Sequence, residues 1–226
     1  EIEGAQLSLL SVDGEKETLI DRWVSSSERG KHLIEGLIAG ERYILREESA
    51  PEGYSAVTDI CFTIDDTGAV FIISAENGEA DADGHVLAVK DDLTSVRISM
   101  IDSADGEELE GAYLVVFDDK GIPVDAWTSG DDGLDENGKL RPHQIDGLRT
   151  GAVYTLKETI APAGYMIASD TTFELRADGT IDPDKTSAAV NEDGVMVAVN
   201  RQVFLDKIDI ISHDERDGAC IEIADR

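Results

Sequence analysis

The chain has 226 residues and a formal charge of −30, from 49 acidic against 19 basic residues. This balance argues against a nucleic-acid partner, because the phosphate backbone recruits Lys and Arg. The acidic residues are spread through predicted turns, which favours a solvated, highly soluble surface over an acidic binding site. No run of about 18 apolar residues occurs, so the sequence predicts no membrane span.

In chain order, the first part of the sequence reads as short strands separated by Asp/Gly turns. Apolar residues alternate before Asp13-Gly14, and a returning strand after this turn carries Trp23. The predicted strands fall at residues 4–10, 19–25, 60–64, 69–72 and 86–89. Helical periodicity is not sustained anywhere. We therefore expect an all-β fold.

The same order of features recurs from Val96 onward. Equivalent residues stand 104 to 111 positions apart, namely Ala5 and Ala112, Trp23 and Trp127, Tyr54 and Tyr165, and Gly68 and Gly179. A self-similarity of this length indicates a tandem repeat of one domain rather than a single large one. Short strands with turns at this spacing favour a β-sandwich for each unit.

The repeat predicts three units with different degrees of completeness. Residues 1–93 form a first unit without its opening strand, residues 94–202 a complete unit, and residues 203–226 the first strands of a truncated third one. The chain begins with Glu rather than Met, so we expect it to be a piece of a longer protein.

The most informative stretch occurs once in each of the first two units. It reads Tyr-x-Leu-x-Glu-x-x-Ala-Pro-x-Gly-Tyr, at residues 43–54 and again at 154–165. The first five residues predict a strand that places Glu47 and Glu158 on its apolar face. A buried carboxyl group needs a partner or a raised pKa, whereas a glutamate at a strand end can stay half-solvated, and both interpretations are open. Ala-Pro-x-Gly-Tyr predicts a turn.

These residues resemble the Cna B-type, or SpaA-like, prealbumin-type domains of Gram-positive surface proteins and pilins. The resemblance is carried by the opening Val-x-Ile-x-x-x-Asp strand, the Gly-Ala after it, Trp-x-Ser, His-x-Ile-x-Gly-Leu and the stretch just described. It implies tandem transthyretin-like (inverse immunoglobulin) β-sandwich domains. It also implies an extracellular, cell-wall location and a role as a rigid spacer.

The resemblance further implies an isopeptide chemistry, because many such domains join a Lys on the first strand to an Asn or Asp on the last. A buried Glu assists the reaction. In the middle unit these positions hold Glu158, Asn200 and, in the lysine place, Met100. A thioether cannot form the bond, so we predict that this unit lacks it. The simpler alternatives are a core methionine and an asparagine that caps a strand end.

The flanking units each hold part of the same set. Glu47 and Asp91 stand at the glutamate and acceptor positions of the first unit, and Lys207 stands at the lysine position of the third. By the repeat, residues 203–209 match the strand that the first unit lacks. One chain's tail could therefore complete another's first unit and bring Lys207 to Glu47 and Asp91.

Nothing in the sequence indicates an enzyme, a cofactor or a metal site. His32 and His143 occupy equivalent positions, which suggests a structural hydrogen bond rather than catalysis. No Cys or second His stands at metal-ligand spacing, and turn chemistry explains the Asp/Gly clusters without calcium. Hydrolase, phosphate-loop and zinc-protease motifs are absent from the sequence.

We expect structural stalk or spacer repeats of a bacterial cell-surface adhesin or pilin-like protein. The expected partners are neighbouring repeats of the same chain, with host matrix or glycan contacted through other parts of the parent. The alternative is a module that itself binds host matrix protein or carbohydrate. Solvent exposure of Trp23 or Trp127 would favour that alternative. A self-directed enzymatic reaction is the weakest hypothesis.

Overall fold

The computed structural model describes residues 2–81, 84–202 and 204. These residues form β-strands joined by turns, with one short 3₁₀ helix at Pro183–Lys185. The strands fall into two groups, here named the N-terminal lobe (residues 4–91) and the C-terminal lobe (residues 94–200). Within the described part of the chain, no sheet combines strands from both lobes.

The N-terminal lobe has one large antiparallel sheet and one small one. The large sheet has the order β2-β1-β3-β4-β5, and β6 pairs only with β7. The strands are β1 (Gln6–Asp13), β2 (Lys16–Val24), β3 (Arg42–Ser49), β4 (Ile60–Ile64), β5 (Val70–Ser74), β6 (Gly78–Ala80) and β7 (Leu87–Val89).

The C-terminal lobe is built from two four-stranded sheets, β10-β9-β12-β13 and β11-β8-β15-β14. The strands are β8 (Ser95–Asp102), β9 (Tyr113–Phe117), β10 (Pro123–Thr128), β11 (His143–Asp146), β12 (Val153–Ile160), β13 (Thr171–Glu174), β14 (Ala189–Val190) and β15 (Val195–Asn200). The first and last strands, β8 and β15, lie side by side and are parallel. All other pairs in this lobe are antiparallel.

The two lobes repeat one plan. Strands β1, β2, β3 and β4 correspond to β9, β10, β12 and β13, with the same neighbours in the sheet. The lobes differ in the second sheet, which has four strands around β8 in the C-terminal lobe and only β6 and β7 in the N-terminal lobe. The C-terminal lobe accordingly has the larger buried core.

Side-chain alternation explains how each core is filled. Tyr154 and Leu156 on β12 point inward with Phe173 of β13, and the rings of Tyr154 and Phe173 lie 5.5 Å apart between centroids. The Tyr154 hydroxyl also accepts a hydrogen bond from the Arg149 amide at 2.8 Å, so its polar tip is satisfied. Tyr43 of β3 repeats this arrangement in the N-terminal lobe, with Phe62 and the Ile38 amide.

The predicted all-β, prealbumin-like architecture is confirmed. The strands predicted before residue 90 are all present, with ends that differ from the observed ones by up to three residues, and the structure adds β6 (Gly78–Ala80), which was not predicted. Among the residues that the structure describes, no helix has both the length and the apolar character needed to span a bilayer.

Candidate functional site

Glu158 is the centre of a buried polar site in the C-terminal lobe. Because it follows Tyr154 and Leu156 in the inward alternation of β12, its side chain enters the core and is only 6% exposed. Its Oε1 atom accepts a hydrogen bond from Asn200 Nδ2 at 2.7 Å, and its Oε2 atom accepts one from the Ala168 amide at 2.5 Å. The half-solvated interpretation of this glutamate is wrong.

Asn200 comes from the last strand and Met100 from the first. In the parallel pairing, Ala198 lies opposite Met100 and Asn200 lies opposite Asp102. All four of these residues are buried, with Met100 and Asn200 each 1% exposed. Met100 and Asn200 therefore face the same core, two residues apart in register. Asn200 is a buried partner of Glu158 rather than an exposed cap at a strand end.

One member of the site was not singled out from the sequence. Asp102 is buried beside Asn200, and its Oδ2 atom accepts hydrogen bonds from the Tyr165 hydroxyl at 2.8 Å and from Gln202 Nε2 at 3.3 Å. Its Oδ1 atom accepts a hydrogen bond from the Ala104 amide at 2.8 Å. The signal was present, because Asp102 ends the opening Val-x-Ile-x-x-x-Asp strand and Tyr165 ends the repeated stretch.

In the N-terminal lobe, the positions equivalent to Glu158 and Asn200 hold two carboxyl groups, those of Glu47 and Asp91. Glu47 is 7% exposed, and its Oε2 atom accepts a hydrogen bond from the Val57 amide at 2.8 Å. Among the described residues, neither Glu47 Oε1 nor Asp91 Oδ1 has a hydrogen-bond partner, although both atoms are buried. Burial raises the pKa of both carboxyl groups, and the charge of Asp91 raises the pKa of Glu47 further.

The raised pKa values of Glu47 and Asp91 predict that protonation of these two groups stabilises the N-terminal lobe. A carboxyl group with a raised pKa binds more protons in the folded than in the unfolded state, so its contribution to stability is lost as pH rises. For Glu47 this contribution is fully present below its ordinary pKa of 4.5 and declines as pH rises through the folded value. Urea unfolding of the N-terminal lobe can be followed by the fluorescence of Trp23 if Trp127, in the other lobe, is replaced by phenylalanine. The free energy of unfolding should fall as the pH rises from 4.5 toward neutrality.

The control separates this effect from the general charge of the protein. A Glu47→Gln, Asp91→Asn double variant cannot titrate at these positions, so its stability should fall less steeply with pH than that of the unsubstituted background. If the free energy of unfolding depended on pH equally in the two proteins, Glu47 and Asp91 would not be the source of the pH dependence.

Lys207, the lysine expected to meet Glu47 and Asp91 across chains, lies outside the described residues. The pairing of residues 203–209 with the N-terminal lobe of another chain therefore stays a prediction.

Each lobe also contains a stacked His–Trp pair. His143 lies on Trp127 with ring centroids 4.2 Å apart, and its two ring nitrogens lie 3.0 Å from Asp125 and 2.9 Å from Asp132. His32 stacks on Trp23 in the same way, at 4.3 Å. The predicted structural hydrogen bond of both histidines is present, with Asp21 as the partner of His32. Trp127 is buried and Trp23 is half-buried, so neither offers a freely exposed ring.

The acidic turns are satisfied by their own backbone. Asp65 Oδ1 accepts hydrogen bonds from the amides of Thr67 and Ala69, and Asp135 Oδ1 accepts them from those of Asn137 and Lys139. Within the described ranges, no group of three or more His, Cys, Asp or Glu side chains is arranged to hold a metal ion. These contacts agree with turn chemistry as the reason for the Asp/Gly clusters.

The fold and the repeated buried glutamate define a class of tandem, all-β, prealbumin-like domains. A family model described as the SpaA prealbumin-like fold domain matches residues 1–79 and again residues 94–189. The chain therefore belongs to the SpaA prealbumin-like domain family. A comparison with curated protein sequences found no match.

Several solved structures are similar over most of this chain. The pilus adhesin SpaC from Lactobacillus rhamnosus GG is 15% identical over 89% of this chain and 29% of its own, with a TM-score of 0.37. The Bacillus anthracis TIE protein is 21% identical over 89% of this chain and 31% of its own, with a TM-score of 0.41. The shaft pilin SpaA from Lactobacillus rhamnosus GG is 16% identical over 90% and 89%, with a TM-score of 0.36.

The chain spans less than a third of the length of SpaC and of the TIE protein. Because these TM-scores are low, the assignment of the chain to its family rests on the family model alone and not on these structures.

Proposed function

We propose that this chain is a load-bearing spacer of a bacterial surface protein or pilus, built from repeats divided at residues 93/94 and 202/203. The family match to the SpaA prealbumin-like fold domain agrees with this role. An extracellular, wall-associated location belongs to the same proposal. The observation that carries it is the placement of the first and last strands of the C-terminal lobe.

The chain enters the C-terminal lobe at the start of β8 and leaves it at the end of β15. These strands are adjacent and parallel, and they are paired from Val195↔Arg97 to Asn200↔Asp102. Tension between the two ends of the lobe therefore pulls the strands along their axes in opposite directions. All hydrogen bonds of the pair then bear load together, whereas a hairpin pulled open loses its bonds one after another.

The C-terminal lobe is proposed to bear this load without a covalent cross-link. A buried glutamate and asparagine, hydrogen-bonded to each other, stand at the positions that the resemblance gives to an isopeptide-forming set, and the lysine position holds a buried methionine. Thioether sulfur has no proton to lose and cannot form an amide, so no Nζ–Cγ bond can join β8 to β15. The role of the site is thus structural, because the hydrogen bond between Glu158 and Asn200 links β12 to β15.

Single-molecule pulling tests the spacer function. Stretching the C-terminal lobe through its two ends should require a several-fold larger force than stretching it through residues 113 and 128, which opens the β9–β10 hairpin one hydrogen bond after another. Both pairs of attachment points load the same folded lobe, so a difference in force reflects the pulling direction and not the thermodynamic stability of the lobe. Similar forces in the two geometries would contradict the load-bearing role.

A further inference from the structure

The two lobes meet through the turn that ends the repeated stretch. The Thr94 amide donates a hydrogen bond to the Gly53 carbonyl at 3.0 Å, and the Ala56 amide donates one to the Ala177 carbonyl at 2.8 Å. Thr94 itself is 1% exposed, and its hydroxyl donates a hydrogen bond to the Leu148 carbonyl at 2.6 Å. The turn of the N-terminal lobe is therefore bonded directly to two loops of the C-terminal lobe.

The backbones at this junction are too close for larger side chains. A Cβ atom added at Gly53 would lie 2.9 Å from the Gly147 carbonyl oxygen, and one added at Gly179 would lie 3.2 Å from both Ser55 Cβ and Thr94 Cγ2. Such distances are characteristic of a packed interface rather than of a loose linker.

The C-terminal lobe carries a second copy of the same surface, at residues 162–168. The Met166 amide donates to the Arg201 carbonyl at 2.9 Å, just as the Ser55 amide donates to the Asp92 carbonyl at 2.9 Å. The bridge between Tyr165 and Gln202 likewise repeats the one between Tyr54 and Leu93. The turn and the start of the following segment therefore have the same local geometry at both places.

The two copies differ in what covers them. In the first copy, Gly53 is buried and Ala56 half-buried against the C-terminal lobe. In the second copy, Gly164 is exposed and no described atom lies within 4 Å of an added Cβ, while Met166 and Ile167 are 56% and 59% exposed. Met166 and Ile167 are thus exposed, whereas the equivalent residues 55 and 56 are partly covered by the C-terminal lobe. An exposed apolar pair at this position indicates an interface that a following unit completes.

We propose that Ala-Pro-x-Gly-Tyr and the residues after it form a head-to-tail docking surface that sets the orientation of successive units. Residues 51–57 dock onto the loops at residues 147–149 and 177–179, and residues 162–168 present the same surface to a following unit of this fold in the same polypeptide. This inference rests on the proposed spacer function. A heterologous interface of this kind, repeated with one geometry, produces an extended array.

The Gly53→Ala variant tests the surface, with Gly164→Ala as its matched control. Both glycines lie in the same motif with positive φ, +85° and +90°, so alanine strains both turns alike. Only at Gly53 does the new methyl group meet the backbone of the other lobe. Backbone ¹⁵N relaxation of the 226-residue chain should give one rotational correlation time for both lobes, unchanged in Gly164→Ala. In Gly53→Ala the common value should be lost, and each lobe should tumble faster.

The outcomes separate this proposal from the spacer function. If Gly53→Ala keeps the common correlation time, or if Gly164→Ala loses it equally, the docking surface is wrong although the chain is still a rigid spacer. If the lobes of the unsubstituted chain tumble independently, the docking surface is likewise wrong, whereas the load-bearing role is decided separately by the pulling experiment. Unchanged amide shifts in the cores of both lobes would show that the variants are folded. In a longer stretch that includes a following unit, Gly164→Ala should uncouple that unit, and continued coupling would contradict the second copy of the surface.

Discussion

A Met100→Lys variant is expected to lose one ammonia spontaneously and to become markedly more stable. The new amine would enter a buried site, where desolvation favours the neutral, nucleophilic form. Its Nζ atom would attack Cγ of Asn200, a Nζ–Cγ amide bond would form, and the Cγ–Nδ2 bond would break with release of ammonia. Glu158 already holds the Asn200 amide at 2.7 Å, so the electrophile is positioned before the lysine arrives.

The expected gain follows from the length of chain that the bond would close. By analogy with a disulfide, a link across a loop of roughly 100 residues stabilises the folded state by about 4–5 kcal/mol through the unfolded chain. Intact mass spectrometry would detect the lost ammonia, and calorimetry would detect the higher unfolding temperature of the C-terminal lobe.

Two controls make the result specific to this site. A Met100→Lys, Glu158→Gln variant keeps the lysine and the shape of the site but lacks the carboxyl group, so it should react far more slowly. Met100→Leu should keep the full sequence mass and a stability close to that of the parent, since a volume-conserving apolar exchange usually costs less than about 1.5 kcal/mol. If Met100→Lys keeps its full mass, Asn200 and Glu158 are not a latent isopeptide site.

Removal of Glu158 is the second change with a large expected effect. Glu158→Ala leaves Asn200 Nδ2 and the Ala168 amide without the acceptors that they have now. Each buried donor that loses its partner costs about 1–3 kcal/mol, so the C-terminal lobe should lose roughly 2–6 kcal/mol of unfolding free energy. The small alanine side chain also removes packing around buried Asn200. Calorimetric unfolding of the chain measures the loss.

Glu158→Gln distinguishes hydrogen bonding from charge. Glutamine keeps the volume and one acceptor oxygen, and its amide group can donate to Asn200 Oδ1, which has no partner among the described residues. The glutamine variant should therefore lose less than half of what the alanine variant loses. Equal losses in the two variants would show that the negative charge, rather than the hydrogen bonds, stabilises this part of the core.

Much of the fold could be predicted from the sequence, because local chemistry and repetition determine it. Period-two alternation places Tyr154, Leu156 and Glu158 on one face of a strand regardless of what lies across from them. Asp/Gly turns separate the strands, and the recurrence of the same order identifies two copies of one sandwich. The resemblance to the family also points to Glu158 and Asn200 as candidates and to Met100 in place of the lysine.

Only the tertiary structure decided which of these residues touch. Glu158 and Asn200 are 42 residues apart and belong to different sheets, so their contact depends on how the two sheets pack. The two side chains that donate to Asp102 are 63 and 100 residues away, and no local pattern pairs them with it. Gly53 reads in the sequence as an ordinary turn glycine, whereas its close approach to Gly147 arises from the packing of one lobe on the next. Short-range patterns specify strands and faces, and long-range packing specifies the partners across them.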